Sequence, residues 1–171
     1  MCVYADVDFD CSPDAVGDVR RLPRGLLREW GVLSDPAVLG LAEDVELVVA
    51  ELASNAVAFG RDRCTLDVAA HRNRFRVTVA DDGDLFWTPR PGGGTISPLA
   101  ESGRGLTIVR ALAHEWGAER NSPTGTVVWA QWNLPATQAL EVPCWLAPGA
   151  VSPSTPAKAD NPAPSSRPPA A

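Results

Sequence analysis

Apolar residues recur along this chain with two different periods, and the switch between them separates helical from extended segments. Ser12-Pro13-Asp14 reads as an N-cap, a proline at the first helical position and a first-turn acid. It opens a helix along Val16, Val19, Leu22, Leu26, Leu27 and Trp30 that Gly31 closes. Pro23 removes a backbone donor inside that pattern and is expected to kink or split the helix. A cleaner helix starts near Asp35-Pro36, places Val38, Leu41, Val45, Val48, Val49, Leu52 and Ala56 on one face, and stops at Gly60. The period then falls to two. Cys64 to Ala69 and Arg74 to Ala80 alternate, with Phe75, Val77 and Val79 on one side and Arg74, Arg76 and Thr78 on the other. Joined through His71-Arg72-Asn73, they predict a hairpin of half-buried strands.

Beyond Gly83 the chain runs to Ser102 through Pro89, Pro91, Gly92, Gly93, Gly94 and Pro98. That is far longer than a usual connection of roughly 4–6 residues, and a loop of such length inside a compact domain suggests a lid. Leu106, Ile108, Val109, Leu112 and Trp116 predict a helix ending at Gly117, which carries His114, and Gly125-Thr126 leads into a strand from Val127 to Trp132. The expected layout is helices packed on an antiparallel or mixed sheet.

A chain of 171 residues and 18.1 kDa has room for one ordinary core. Residues 1–147 are assigned to that domain. From Pro148 to Ala171 the composition turns to Pro, Ala and Ser, with seven of the 16 prolines and no aromatic residue, so 148–171 is expected to be a disordered tail. A net charge of -6 argues against a nucleic-acid binder, which gathers Lys and Arg to neutralise phosphates. Cys2, Cys11, Cys64 and Cys144 form no C-x-x-C pair, and with only two histidines neither a zinc site nor a disulfide framework is favoured. Met1 to Asp10 has no basic start or apolar h-region, and no stretch reaches the roughly 18 apolar residues of a membrane span. The expected location is a reducing cytoplasm. The six tryptophans are expected to pack, with Trp87 in the expected lid the one to watch.

Three segments carry candidate chemistry. Glu51 and Asn55, four apart on a helix, point the same way at the edge of the apolar stripe beside Val48, with Asp44 on the same line. An Asn amide oxygen is a hard ligand suited to Mg²⁺, and a nearby carboxylate can orient a nucleophile or take its proton. Asp81-Asp82-Gly83 ends a strand, where a carboxylate can accept a hydrogen bond from an adenine amino group and Gly83 lets a flat ligand near the backbone. Gly103-Arg104-Gly105 precedes a helix, offering backbone N–H groups and the positive end of a helix dipole to an anion, with charge from Arg104 if it points inward. No Gly-Lys-Ser/Thr follows, so this is not a Walker A loop. Each segment also has a bland explanation: a solvated helix face, a strand-ending turn and a helix cap.

Taken in order, Glu51-Leu52 with Asn55-Ala56-Val57, Asp81-Asp82-Gly83, Gly103-Arg104-Gly105-Leu106 with Ile108-Val109, and Gly125-Thr126-Val127-Val128-Trp129 resemble the GHKL ATPase superfamily of gyrase B, the ninety-kilodalton chaperone and histidine kinases. The chain looks closest to the actinobacterial anti-sigma-factor serine/threonine kinases, over most of Ser12 to Leu134. The resemblance implies an α/β (α+β) two-layer sandwich of the Bergerat type, with helices on one face of a mixed, mainly antiparallel sheet and ATP between helices and lid. It implies that Asn55 is the Mg²⁺ ligand, Asp81 the adenine-binding acid with Gly83 beside it, and Glu51 the catalytic base. Gly103, Arg104, Gly105 and Leu106 would lie at the lid end near the phosphates.

The implied partners are a sigma factor and an anti-anti-sigma protein carrying the acceptor serine, and a homodimer is implied as well. Two positions depart from the family pattern: Asp84-Leu85 follows Gly83 where a second glycine is usual, and Phe59 stands where relatives often carry His. The retained Glu51 favours a kinase, whereas the missing glycine favours a non-catalytic ATP-binding or partner-sequestering module.

Overall fold

A computed structural model describes residues 2–38, 40–71, 73–83, 105–120 and 125–135. In chain order the elements are β1 (Cys2–Asp10), α1 (Pro13–Val19), α2 (Leu22–Glu29), α3 (Leu41–Phe59), β2 (Arg63–His71), β3 (Arg74–Asp81), α4 (Gly105–Leu112), β4 (Glu115–Arg120) and β5 (Thr126–Asn133). The strands form one sheet in the order β1-β2-β3-β5-β4. All four ladders are antiparallel, so the expected mixed sheet is antiparallel throughout its described strands.

Alternation along the strands decides which face the helices cover. Cys64, Leu66, Val68 and Ala70 of β2 pair with Asp81, Val79, Val77 and Phe75 of β3, and all eight are buried on the same side. Phe75 sits between Trp30 and Trp132, with ring centroids 6.5 and 6.2 Å away in tilted arrangements. α3 lays Val45, Val48, Val49, Leu52 and Ala56 against this surface and ends at Gly60, as its periodicity predicts. The other sheet face is partly open: Tyr4 donates to Asp67 at 2.6 Å, and the Arg76 guanidinium lies 3.9 Å above the Trp129 ring. A two-layer α/β sandwich is therefore the architecture.

The expected first helix is divided, but ahead of Pro23. Arg20 and Arg21 form a turn, and Pro23 sits within the first positions of α2, where its missing donor costs nothing. Ser12 occupies the N-cap position of α1 without a side-chain capping hydrogen bond. Gly31 closes α2 at φ 73°, a conformation that favours glycine. Asp35-Pro36 begins a short 3-10 turn, Pro36–Val38, and α3 itself starts at Leu41. Arg24 ties α2 to α3 through Glu43 at 2.8 Å and through Glu46.

Two strands differ from the sequence reading. β1 is absent from the sequence reading, since Asp6, Asp8 and Asp10 are poor strand formers; it forms because its backbone pairs with β2 from Cys2 to Asp10 while Val3, Val7 and Phe9 on its other face pack on the core. The helix expected to reach Gly117 stops at Leu112. Ala113 donates to Val109, the last helical bond, and His114 donates to the Gln131 carbonyl, the first bond to the sheet, so His114 and Trp116 are not helical. Trp132 Nε1 caps the Leu112 carbonyl at 2.8 Å, and Gly117 lies under the Trp129 ring, where a Cβ would come within 2.7 Å of the indole.

Candidate functional site

α3 carries the first pair of candidate groups. Val48 and Leu52 are buried and Ser54 exposed, and between them Glu51 and Asn55 are both half-buried one turn apart, at the stripe's edge. The first residue of α4 meets them there. A Cβ on Gly105 would lie 2.7 Å from Glu51 Oε2 and 3.8 Å from Asn55 Nδ2. The Glu51 carboxylate thus lies against the amino end of α4, where backbone N–H groups and the helix dipole favour an anion. Leu106, next along, is half-buried against the core.

The second group is built on the end of β3. Asp81 is 5% exposed, and its Oδ1 accepts backbone N–H groups from Gly83 at 2.9 Å and Thr126 at 3.3 Å. Burial raises its pKa, while those two donors oppose the rise. Because both donors take Oδ1, Oδ2 is the oxygen left to a ligand. A carboxylate held in this way is matched to an exocyclic amino group such as that of adenine.

Glycines let three backbones close around Asp81. A Cβ on Gly83 would fall 1.9 Å from the Phe59 carbonyl oxygen, so the turn after β3 is pressed onto the end of α3. Gly125 has φ 98°, and a Cβ there would fall 2.0 Å from the Asp81 carbonyl oxygen. Asp82 points away from this spot and accepts the backbone N–H groups of Arg61 at 2.8 Å, Asp62 at 3.2 Å and Arg63 at 3.2 Å. These bonds, that to Arg61 foremost, hold its pKa below the usual carboxylate range. The turn that leaves α3 is therefore fastened to the strand end that carries Asp81.

Of the residues singled out from sequence, Glu51, Asn55 and Gly105 come together, and Asp81 and Gly83 form a second cluster joined to them through the last turn of α3. Gly103, Arg104 and Trp87 lie outside the described residues, as do the expected lid and tail. Asp82, Gly125 and the Thr126 backbone were given no role in advance. The three donors to Asp82 lie about 20 residues earlier in the chain, which no local motif reveals. Among the described residues no group of three or more His, Cys, Asp or Glu is placed to hold a metal. Mg²⁺ bound with a nucleotide takes much of its shell from phosphate and water, so one amide oxygen such as that of Asn55 suits it as a protein ligand. No described helix is long and apolar enough to cross a membrane.

The profile of the histidine kinase-like ATPase domain matches residues 9–132, which takes in every element from the end of β1 to β5. No curated protein matches the chain. With a family profile covering most of its length, the chain belongs to the histidine kinase-like ATPase domain family and is an ATP-binding domain.

Proposed function

We propose that this protein is an Mg-ATP-dependent protein serine/threonine kinase of the anti-sigma-factor type. The observation that carries the proposal is the meeting of Glu51 and Asn55 with Gly105 at the amino end of α4, one helix away from the Asp81 cluster. An ATP with its adenine at Asp81 and Gly83 would reach that helix end with its phosphates. The Asn55 amide would contribute one protein oxygen to Mg²⁺, which neutralises charge on the phosphates when bound. Gly105 and Leu106, with the preceding Gly103 and Arg104, would surround the phosphate end.

Among the described residues Glu51 is the carboxylate that meets Gly105, and it is assigned the base. It accepts the proton of a serine hydroxyl as the serine oxygen bonds to the γ-phosphorus and the bond to the β-γ bridging oxygen breaks. The acceptor serine is assigned to an anti-anti-sigma partner and the sequestered protein to a sigma factor, in the cytoplasm and within a homodimer, on the strength of the family resemblance. A binding-only module is the second reading, favoured by Gly83-Asp84-Leu85 in place of a glycine pair.

The two readings separate on Glu51. Glu51→Gln is expected to bind Mg-ATP within about threefold of the parent in a calorimetric titration, while phosphotransfer from γ-labelled ATP to anti-anti-sigma proteins falls by roughly 10²–10⁴. Asn55→Ala is expected to lose the magnesium dependence of binding. Parent protein that binds ATP and labels no acceptor would establish the binding module instead, and an Asn55→Ala variant that binds Mg-ATP like the parent would remove Asn55 from the site.

A further inference from the structure

Two cysteines 53 positions apart in the chain meet behind the Asp81 cluster. Cys11 is half-buried in the turn after β1, Cys64 is buried near the start of β2, and neither is in a disulfide. Both sulfurs crowd one point on the backbone: a Cβ on Gly60 would lie 2.5 Å from Cys11 Sγ and 3.3 Å from Cys64 Sγ. Gly60 caps α3, the helix of Glu51 and Asn55. Cys64 stands directly opposite Asp81 in the β2–β3 ladder. Residues 61–63, between Gly60 and Cys64, are those clamped by Asp82. Any movement of the Cys64 backbone thus bears on the end of α3 and on the strand end that carries Asp81.

We propose that Cys11 and Cys64 form a peroxide-oxidisable dithiol, and that closing it to a disulfide shifts the start of β2 and weakens nucleotide binding at Asp81. The affinity half of this statement rests on Asp81 belonging to the ATP site.

Cys11 is the attacking thiol, because it is the more accessible of the two. Its sulfur bonds to one oxygen of hydrogen peroxide, the O–O bond breaks, and the departing hydroxide leaves as water after taking a proton. The Cys64 sulfur then displaces the hydroxyl from the Cys11 sulfenic acid. The S–S bond forms, and the Cys64 proton leaves with the hydroxyl as a second water. Two thiols are oxidised by two electrons in total, and one peroxide is reduced to two waters. Burial pushes both thiols up, Cys64 further, so the thiolate is scarce at neutral pH and the reaction accelerates as pH rises. A disulfide holds its sulfurs about 2.05 Å apart, and with both crowded against Gly60 their approach draws on the backbone at Cys11 and Cys64 as well as on side-chain rotation.

The test uses the full chain carrying Cys2→Ser and Cys144→Ser, so that only this pair can react. Hydrogen peroxide is added at several pH values, and peptides are mapped without reductant. The linked Cys11–Cys64 peptide is expected, forming faster at higher pH and lost when Cys11→Ser is added. Backbone amide exchange should change at residues 60–64 and 81–83 on oxidation and revert with dithiothreitol. Calorimetry should show Mg-ATP binding several-fold weaker in the oxidised form and restored on reduction. Absence of the linked peptide overturns the proposal outright. A linked peptide with unchanged exchange at 81–83 overturns the coupling to Asp81, without reference to ATP. A reduced protein that binds no ATP refutes the nucleotide site, leaving the disulfide to stand on the mapping and exchange.

Discussion

Replacing Asp81 with asparagine is expected to abolish ATP binding while leaving the free protein at least as stable as the parent. The asparagine carbonyl oxygen can keep the bonds now made by Oδ1 to Gly83 N–H and Thr126 N–H, so the turn and the β5 junction stay in place. The other oxygen becomes an NH₂ group that faces the adenine amino group, donor against donor. Loss of one charge-assisted bond and desolvation of an unpaired donor together cost on the order of 3–5 kcal/mol, or roughly 10²–10³ in affinity or more.

The stability half of this expectation follows from linkage. The fold raises the pKa of Asp81 through burial, so the protonated acid is favoured in the native state. Its stabilising effect is complete below the unfolded value of about 3.9 and is lost as pH rises through the native value, leaving a penalty at neutral pH. Asparagine removes that penalty. Melting temperatures at pH 7 should be equal or higher in Asp81→Asn, with the advantage vanishing in acid. An Asp81→Asn protein that titrates with ATP like the parent would show that the nucleotide is not read at Asp81.

Gly125→Ala is expected to be strongly destabilising although it adds a single methyl group. At φ 98° a side chain costs about 1–2 kcal/mol, and the added Cβ would overlap the Asp81 carbonyl oxygen at 2.0 Å. That oxygen belongs to a central strand and cannot swing aside as a side-chain tip would. The start of β5 must move off β3, stretching the Thr126 bond to Asp81. A total of about 3 kcal/mol is expected, with a fall in Tm of roughly 10 °C and weaker ATP binding in parallel. Thermal unfolding followed by circular dichroism decides it: a Tm within about 2 °C of the parent would mean that the close approach of Gly125 to Asp81 is not maintained in solution.

Where the sequence was legible, the information was local. The stripe along Val45, Val48, Val49, Leu52 and Ala56 predicts α3 and puts Glu51 and Asn55 at its edge, because helical geometry needs only neighbouring residues. The alternation from Cys64 to Ala80 likewise predicts the β2–β3 hairpin and sets Asp81 at its open end. β1 and β4 escaped notice for a common reason. Three aspartates in one, and a glutamate and a glycine beside Trp116 in the other, are weak strand formers, and each becomes a strand through the partner it pairs with, β2 for β1 and β5, next in the chain, for β4.

By itself, then, the sequence determined the helix and strand that carry the candidate groups, the change of period between them, and the family to which their order belongs. Only the tertiary structure decided that Gly105 closes on Glu51 and Asn55, that Asp82 grips the turn at 61–63, that Gly125 and Thr126 anchor Asp81, and that Cys11 lies against Cys64. The reason is physical. Periodicity records which side of an element is buried, whereas these contacts depend on which elements become neighbours when the sheet closes in the order β1-β2-β3-β5-β4, and that order is set by packing all five strands against one helical layer at once.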